Sequence, residues 1–208
     1  KYLGSWSTPI LIDVNGRTEL VAALPGALYG FDPANGKPLW HCNGLNTLIY
    51  ADPLHVGDVL VTMGGFGGFS MGVKTGGTGD VTATHRLWLE KRSAQRIGSG
   101  VVKDGRIFMI NEPGTVQCIE PATGKILWQE RLQPESGNSS TWSSLLLSGD
   151  RIYAVTQRSD TIVFRAGATF EQLAVNSLND GLTNASLVPS NGDLFLRTHK
   201  HLWCIRTK

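Results

Sequence analysis

The sequence predicts an all-β fold, a β-propeller of four-stranded antiparallel blades with about five blades in the 208 residues. Three observations carry that reading. The stretch 27–40, ALYGFDPANGKPLW, returns as 115–128, TVQCIEPATGKILW, with turn, glycine and tryptophan aligned. Trp88 falls 48 residues after Trp40 and 40 before Trp128, a mean unit of 44 residues, the size of a four-stranded blade. Short apolar runs are separated by Gly, Asn and Asp at regular intervals, and nowhere does the pattern take a helical period.

The organising stretch is itself a hairpin. Residues 28–31 form a strand, 32–36 (DPANG) the turn and 37–42 the next strand, and 120–124 (EPATG) repeats the instruction. Proline presets φ for the turn, and glycine takes the positive φ that ends it. The tryptophans four residues past these glycines are expected to be buried between neighbouring sheets.

Taken in order, the units fall at 5–44, 45–92, 93–134, 135–178 and 179–208. The first has strands at 7–12 and 20–23 around Asn15-Gly16, a strong hairpin signal, and ends in the organising hairpin. The second has a turn at Gly57-Asp58, a strand at 59–62 and an outer strand at Trp88, with a glycine-rich surface insertion expected over 64–84. The third is the most regular, with strands at 98–102 and 106–110 around Asp104-Gly105. The fourth keeps strands at 141–145 and 151–155, but Ala174 stands where Trp128 stands in the third, and 166–169 replaces the usual turn. The fifth has strands at 184–188, 194–197 and 201–205, with no fourth strand. An unpaired last strand predicts completion by residues upstream of Lys1, and so a larger propeller, with a closed five-bladed ring as the alternative.

Hydrophobic residues make up 41% and charged residues 17%, enough apolar content for a sizeable core. Nineteen basic against 17 acidic residues leave a net charge of +2 with no basic stripe, which argues against nucleic acid and anionic membrane as partners. No apolar run reaches the roughly 18 residues of a membrane span, and the amino end does not read as a signal peptide. Three cysteines, none adjacent or in Cys-x-x-Cys, indicate neither a disulfide framework nor a zinc site. Cys118 and Cys204 hold matching strand positions and are expected buried, with Cys42 more exposed.

The two Asp/Glu-Pro-Ala-x-Gly-Lys-x-Leu-Trp hairpins and the Gly-Asp-Arg-Ile-Tyr type of second strand resemble the pyrroloquinoline-quinone-type repeat. That repeat builds quinoprotein dehydrogenases and also the non-catalytic propeller of the BamB type. Residues 76–85, GGTGDVTATH, are similar to a segment of further bacterial members, many from planctomycetes. The resemblance implies a periplasmic or exported location.

For catalytic members it also implies a quinone in a central funnel against a disulfide of adjacent cysteines and a tryptophan, with calcium on carboxylate and amide oxygens and an aspartate base. This sequence has no adjacent cysteine pair. By position at or before first strands, Asp52, Arg96, Trp142 and Asn184 are the funnel-facing candidates, without forming a recognisable calcium and base set. Pyrroloquinoline quinone and calcium are therefore cofactors the family allows and the motifs do not support. No catalytic or metal residue is assigned. The run 72–75 (GVKT) lacks the spacing of a phosphate loop, and His199 and His201, two apart on one strand face, lack a third metal ligand in the sequence nearby. The reading is a non-catalytic scaffold or binding module for a protein or small ligand, acting through loops and funnel. The alternative is part of a quinoprotein oxidoreductase whose active-site residues lie largely outside these residues.

Overall fold

Tight turns at residues of positive φ set the strands. β1 (Ile10–Val14) reverses at Asn15 (φ 52°) and Gly16 (φ 78°) into β2 (Arg17–Leu24), the double left-handed geometry that matches the twist of a two-residue hairpin. Asp104 with Gly105 and Asn191 with Gly192 repeat it. The molecule is described by a computed structural model over residues 4–92 and 94–206.

The first sheet continues with β3 (Ala27–Phe31) and β4 (Pro38–Asn43), both antiparallel to their predecessors. Their turn is closed by Asp32, whose N–H donates to Lys37 O while its carbonyl accepts from Gly36 and its side chain from Ala34 N–H. The second sheet comprises β5 (Leu54–Val56), β6 (Val59–Met63) and β7 (Ser70–Lys74). The chain then leaves it through β8 (Gly79–Asp80) and α1 (Thr82–His85) and returns as β9 (Arg86–Glu90), beside β7. β8 pairs in parallel with β4, so the first sheet has five strands.

The third sheet is β10 (Val101–Lys103), β11 (Arg106–Ile110), β12 (Thr115–Ile119) and β13 (Ile126–Arg131), hydrogen-bonded in that order. The fourth is β14 (Leu146–Ser148), β15 (Arg151–Val155), β16 (Asp160–Arg165) and β17 (Gln172–Ser177). The fifth has three strands among the described residues, β18 (Val188–Ser190), β19 (Asp193–Arg197) and β20 (Leu202–Ile205). The fold is the expected all-β propeller type with five antiparallel blades.

Packing divides the chain into two compact units. One is Lys1–Arg96 with Asp104–Ile107 and Ile119–Lys125; the other is Ile97–Lys103 with Phe108–Cys118 and Ile126–Lys208. The first has its core in Val21, Leu28, Trp40, Ile49, Leu60 and Met71, with contributions from neighbouring strands. The second is built on Phe108, Val116, Ile152, Ile162 and Phe164, with a smaller cluster of Val155, Leu187 and Leu196. In each, the apolar residues of alternating strand positions meet between sheets, where burial stabilises by roughly 1.5–3 kcal/mol per large side chain.

Several expectations are corrected. The stretch 64–84 is not one insertion: Ser70–Lys74 is the third strand of the second sheet, and the added segment is 75–85, which caps β4 and carries a four-residue helix. Met71 and Val73 on one face of β7 and Ser70 and Gly72 on the other are all buried, which erased the alternation that marks a half-exposed strand. First strands begin later than expected, at Val101, Leu146 and Val188; hydroxyl-closed turns precede the last two, and Ser99 before the first is bonded to Ser144 and Leu145. Trp40 is buried, but Trp88 and Trp128 are half-buried. The cysteines invert in part: Cys42 is buried with Cys118, and Cys204 is exposed on β20. Burial pushes the Cys42 thiol up to about 11.

The tryptophans nevertheless act as the repeat suggests. Trp88 lies flat against Gly72 of its own sheet, where a Cβ would overlap the indole, and its other contact is Gly124, whose Cβ would stand 2.7 Å from the ring. Its Nε1–H donates to Pro121 O at 2.8 Å. The Pro-Ala-Thr-Gly turn is thus the seat of the preceding sheet's tryptophan. Trp128 repeats the bond, donating to Gly167 O at 3.2 Å in the turn of the fourth sheet, with its ring edge-on to Phe170. Trp40 stacks on Gly30 but donates to the buried Glu19 carboxylate at 2.7 Å, itself paired with Arg17.

Gly72→Ala is expected to destabilise by about 1–3 kcal/mol, because the methyl must displace the Trp88 ring. Gly167→Ala, where a Cβ meets nothing nearer than 3.4 Å, should cost less than about 0.5 kcal/mol. Urea midpoints of the two variants test the difference; equal midpoints would refute the stacking role.

Candidate functional site

A repeated turn precedes the first strands. The hydroxyl of Thr141 accepts the N–H of Ser143 at 3.2 Å, that of Thr183 the N–H of Ala185 at 3.0 Å, and that of Ser5 the N–H of Ser7 at 3.2 Å. A hydroxyl that bonds two residues ahead closes a tight turn and leaves the residue between at its apex. Those apex residues are Trp142, Asn184 and Trp6. All three are exposed, Trp6 at 68% and Trp142 at 42%. The Thr141 and Thr183 hydroxyls also donate to Val155 O and Arg197 O at 2.6 Å, tying the turns to the second strands.

One residue further, a second device links successive first strands. Ser99 N–H donates to Ser144 Oγ at 3.0 Å and Ser144 N–H to Ser186 Oγ at 2.9 Å, both within the second unit. In the first unit the Asp52 carboxylate takes the same role, accepting the N–H of Thr8. Ser144 and Ser186 each stand two residues after an apex residue, and Asp52 stands two after Tyr50. Asp52 is therefore used as a strand-linking acceptor.

Arg96 is 3% exposed and donates to Ala94 O at 3.3 Å; burial lowers its guanidinium to about 10, so it stays charged at neutral pH. Asn184 Oδ1 accepts from Gln157 Nε2 at 2.9 Å. Gln157 is held by its backbone, donating to Ser140 O at 2.8 Å and accepting from Thr183 N at 3.1 Å, one bond on each side of the Trp142 and Asn184 turns. Of the four residues singled out in the sequence, the structure relates these last two through Gln157. Asp52 and Arg96 belong to the other unit.

In that unit the exposed chemistry is aromatic. Trp6 and Tyr50 have ring centroids 5.2 Å apart at 47°, and Trp6 N–H donates to Ile49 O at 3.1 Å. Tyr50 lies over Gly65, where a Cβ would overlap its ring, and Gly65 N–H donates to Leu48 O at 3.0 Å. The next residue, Phe66, is 65% exposed, and its carbonyl accepts from Asn46 Nδ2. The glycine-rich run thus admits Tyr50 and presents Phe66. Sequence reasoning missed Trp6 and Tyr50, although Ser5-Trp6-Ser7 against Thr141-Trp142-Ser143 was a readable signal.

The second unit holds one further polar cluster. Asp180, 8% exposed, accepts from Thr198 Oγ1 at 2.5 Å, Trp203 Nε1 at 2.9 Å and His201 Nδ1 at 2.9 Å. Its carboxyl is lowered to about 2, first by the Thr198 hydroxyl, then by the Trp203 and His201 donors. His201, Leu202 and Trp203 line a shallow groove of about 260 Å³. His199 is exposed, with its backbone N–H on Leu182 O at 2.8 Å. Among the described residues no group of three or more His, Cys, Asp or Glu is placed to hold a metal ion, and no helix is long and apolar enough to cross a membrane.

The family model described as outer membrane protein assembly factor BamB matches residues 5–207. The chain belongs to this family. Among solved structures it is similar to BamB from Moraxella catarrhalis, with 15% identity, 96% of this chain and 69% of that chain covered, and a TM-score of 0.60. It is also similar to the quinohemoprotein alcohol dehydrogenase ADHIIG from Pseudomonas putida HK5, with 16% identity, 97% and 40% coverage and a TM-score of 0.66. The computationally designed Ika8 protein gives 16% identity, 94% and 57% coverage and the same TM-score, 0.66. This BamB-family chain therefore spans less than two thirds of the dehydrogenase and of the designed protein. No curated protein matches it in sequence. At these identities the likeness establishes the propeller fold that the PQQ-like repeat predicted.

The Asp180 cluster should make the fifth sheet acid-sensitive. A carboxyl lowered from its ordinary 3.8 to about 2 contributes stability that is fully present above the ordinary value and is lost as pH falls through about 2. Hydrogen-exchange protection of 198–203 is expected to fall across that window, and Asp180→Asn to lower protection at neutral pH while losing the pH dependence. An unchanged profile in the variant would remove Asp180 as its cause.

Proposed function

We propose that this BamB-family chain is a non-catalytic binding module, exported or periplasmic, that presents its loops to a protein or small ligand. The observation that carries the reading is the exposed Trp6 ring against the half-buried Tyr50, with the exposed Phe66 on the glycine-rich loop, the two segments anchored by backbone hydrogen bonds to Ile49 and Leu48. Rings held on a rigid sheet scaffold bind without first losing much loop entropy. Two carboxylates serve the fold in support of that reading: Asp52 accepts the N–H of Thr8, and Asp180 is occupied by three donors of its own unit.

Pyrroloquinoline quinone and calcium are cofactors that the family allows, and among the described residues no group of three or more His, Cys, Asp or Glu is placed to hold a metal ion. The experiment is a dye-linked oxidation assay of the 208-residue chain with alcohols and sugars, with added pyrroloquinoline quinone and calcium. The expected rate is that of the protein-free control. Turnover that requires both additions overturns the reading in favour of an oxidoreductase.

A further inference from the structure

Asparagine stands directly before glycine at four places, 15–16, 35–36, 43–44 and 191–192. All four asparagines are exposed, so access of water does not tell them apart. Hydrogen bonding does. Gly16 N–H donates to Asp13 Oδ1 at 2.9 Å, Gly36 N–H to Asp32 O at 2.8 Å and Gly44 N–H to Gly26 O at 2.9 Å. Two of the asparagine side chains are held as well. Asn35 Nδ2 donates to Asp32 Oδ2 at 2.7 Å while its Oδ1 accepts from Lys37 N–H at 2.9 Å, and Asn43 Nδ2 donates to Thr82 Oγ1 at 3.1 Å. The fourth place differs. Asn191 (φ 49°) and Gly192 (φ 84°) form the two-residue turn between β18 and β19, and among the described residues neither the Asn191 side chain nor the Gly192 N–H has a hydrogen-bond partner.

An asparagine followed by glycine cyclises readily, because glycine has no side chain to hinder the approach of its own nitrogen. The Gly192 nitrogen gives up its proton to solvent base and attacks Asn191 Cγ. A C–N bond forms there, the Cγ–Nδ2 bond breaks, and the amide nitrogen leaves as ammonia. Water then opens the cyclic imide at either carbonyl, giving aspartate or isoaspartate. The sum is an amide plus water going to a carboxylate plus ammonia, with nothing oxidised or reduced. A glycine N–H that already donates must first leave its acceptor, and a fastened amide must first be freed before its carbon meets that nitrogen. We infer that Asn191 is a site of spontaneous deamidation in the folded protein, and that hydrogen bonds protect the asparagines at 15, 35 and 43. The isoaspartyl product lengthens the main chain by a methylene within the turn that sets Ser190 opposite Asp193. Either product places a new carboxylate two residues before Asp193, the partner of Arg206.

The test is site-resolved peptide mapping by mass spectrometry of the 208-residue chain aged in mildly alkaline buffer, with isoaspartate scored by enzymatic methylation. In the folded chain Asn191 is expected to convert at least about fivefold faster than Asn15, Asn35 or Asn43, the factor that one hydrogen bond of about 1 kcal/mol puts into a rate. In urea, where all four places lose their partners, the rates should converge. Asp13→Ala, at an exposed position, frees the Gly16 N–H and should raise the Asn15 rate about fivefold, with the thermal midpoint of the variant checking its fold. An Asn191 rate no higher than that of any of the other three in the folded chain overturns the inference. So does the same ranking in urea, or an Asn15 rate unmoved in a folded Asp13→Ala. The comparison of folded with urea-unfolded chain needs no variant and decides the matter if Asp13→Ala folds poorly.

Discussion

The contact on which the first two sheets depend is an indole packed against a glycine, with its N–H spent on an acceptor beyond its own strand. For Trp88 that means Gly72 on one side, Gly124 on the other and Pro121 O as acceptor. Such a ring satisfies two demands at once. It fills the gap between sheets with apolar area, and it finds a partner for a polar N–H that would cost on the order of 1–3 kcal/mol if buried unpaired. At Gly30 and Gly72 a side chain would take the ring's place, whereas the third sheet carries Cys118 at the position that corresponds to Gly30. The turn that receives the ring must in turn be tight enough to bring a carbonyl and a glycine to the same spot, which is what Pro-Ala-Thr-Gly does.

Where the turn changes, the acceptor changes with it. The fourth sheet has no Pro-x-x-Gly turn, and Trp128 takes Gly167 O and an edge contact with Phe170 instead. The first sheet's tryptophan uses the buried Glu19, while the segment after β7 lays β8 along β4. That added strand covers backbone groups at the outer edge of the sheet that would otherwise be open to pairing. One physical requirement is thus met by three different local solutions.

At the other end of each blade, hydroxyls and one carboxylate do the joining. Asp52, Ser144 and Ser186 accept the linking hydrogen bonds, and the residues two before Ser144 and Ser186 are the exposed Trp142 and Asn184. Exposed positions on a rigid frame are where variation costs least. The same economy shows in the carboxylates: Asp52 accepts the N–H of Thr8, and Asp180 accepts from Thr198, Trp203 and His201.

By itself the sequence determined the all-β class, the repeat length, the Asn-Gly and Asp-Gly hairpins and the pairing of turn glycine with tryptophan. Each of these is a property of a window of a few residues, set by φ preferences and by side-chain alternation at period two. Tertiary structure alone decided which of the glycine-rich residues form β7, where the first strands begin, why Cys42 is buried and Cys204 exposed, and which aromatic rings face outward. These outcomes depend on partners outside the local window: Ser144 needs Ser186, 42 residues on, Trp128 needs Gly167, 39 residues on, and Tyr50 needs the bare backbone of Gly65. A hydroxyl, an indole or a glycine looks the same in the sequence whether or not such a partner arrives. Only the folded sheets bring the two within hydrogen-bonding or stacking distance, and that is what turns a common residue into a structural link or an exposed site.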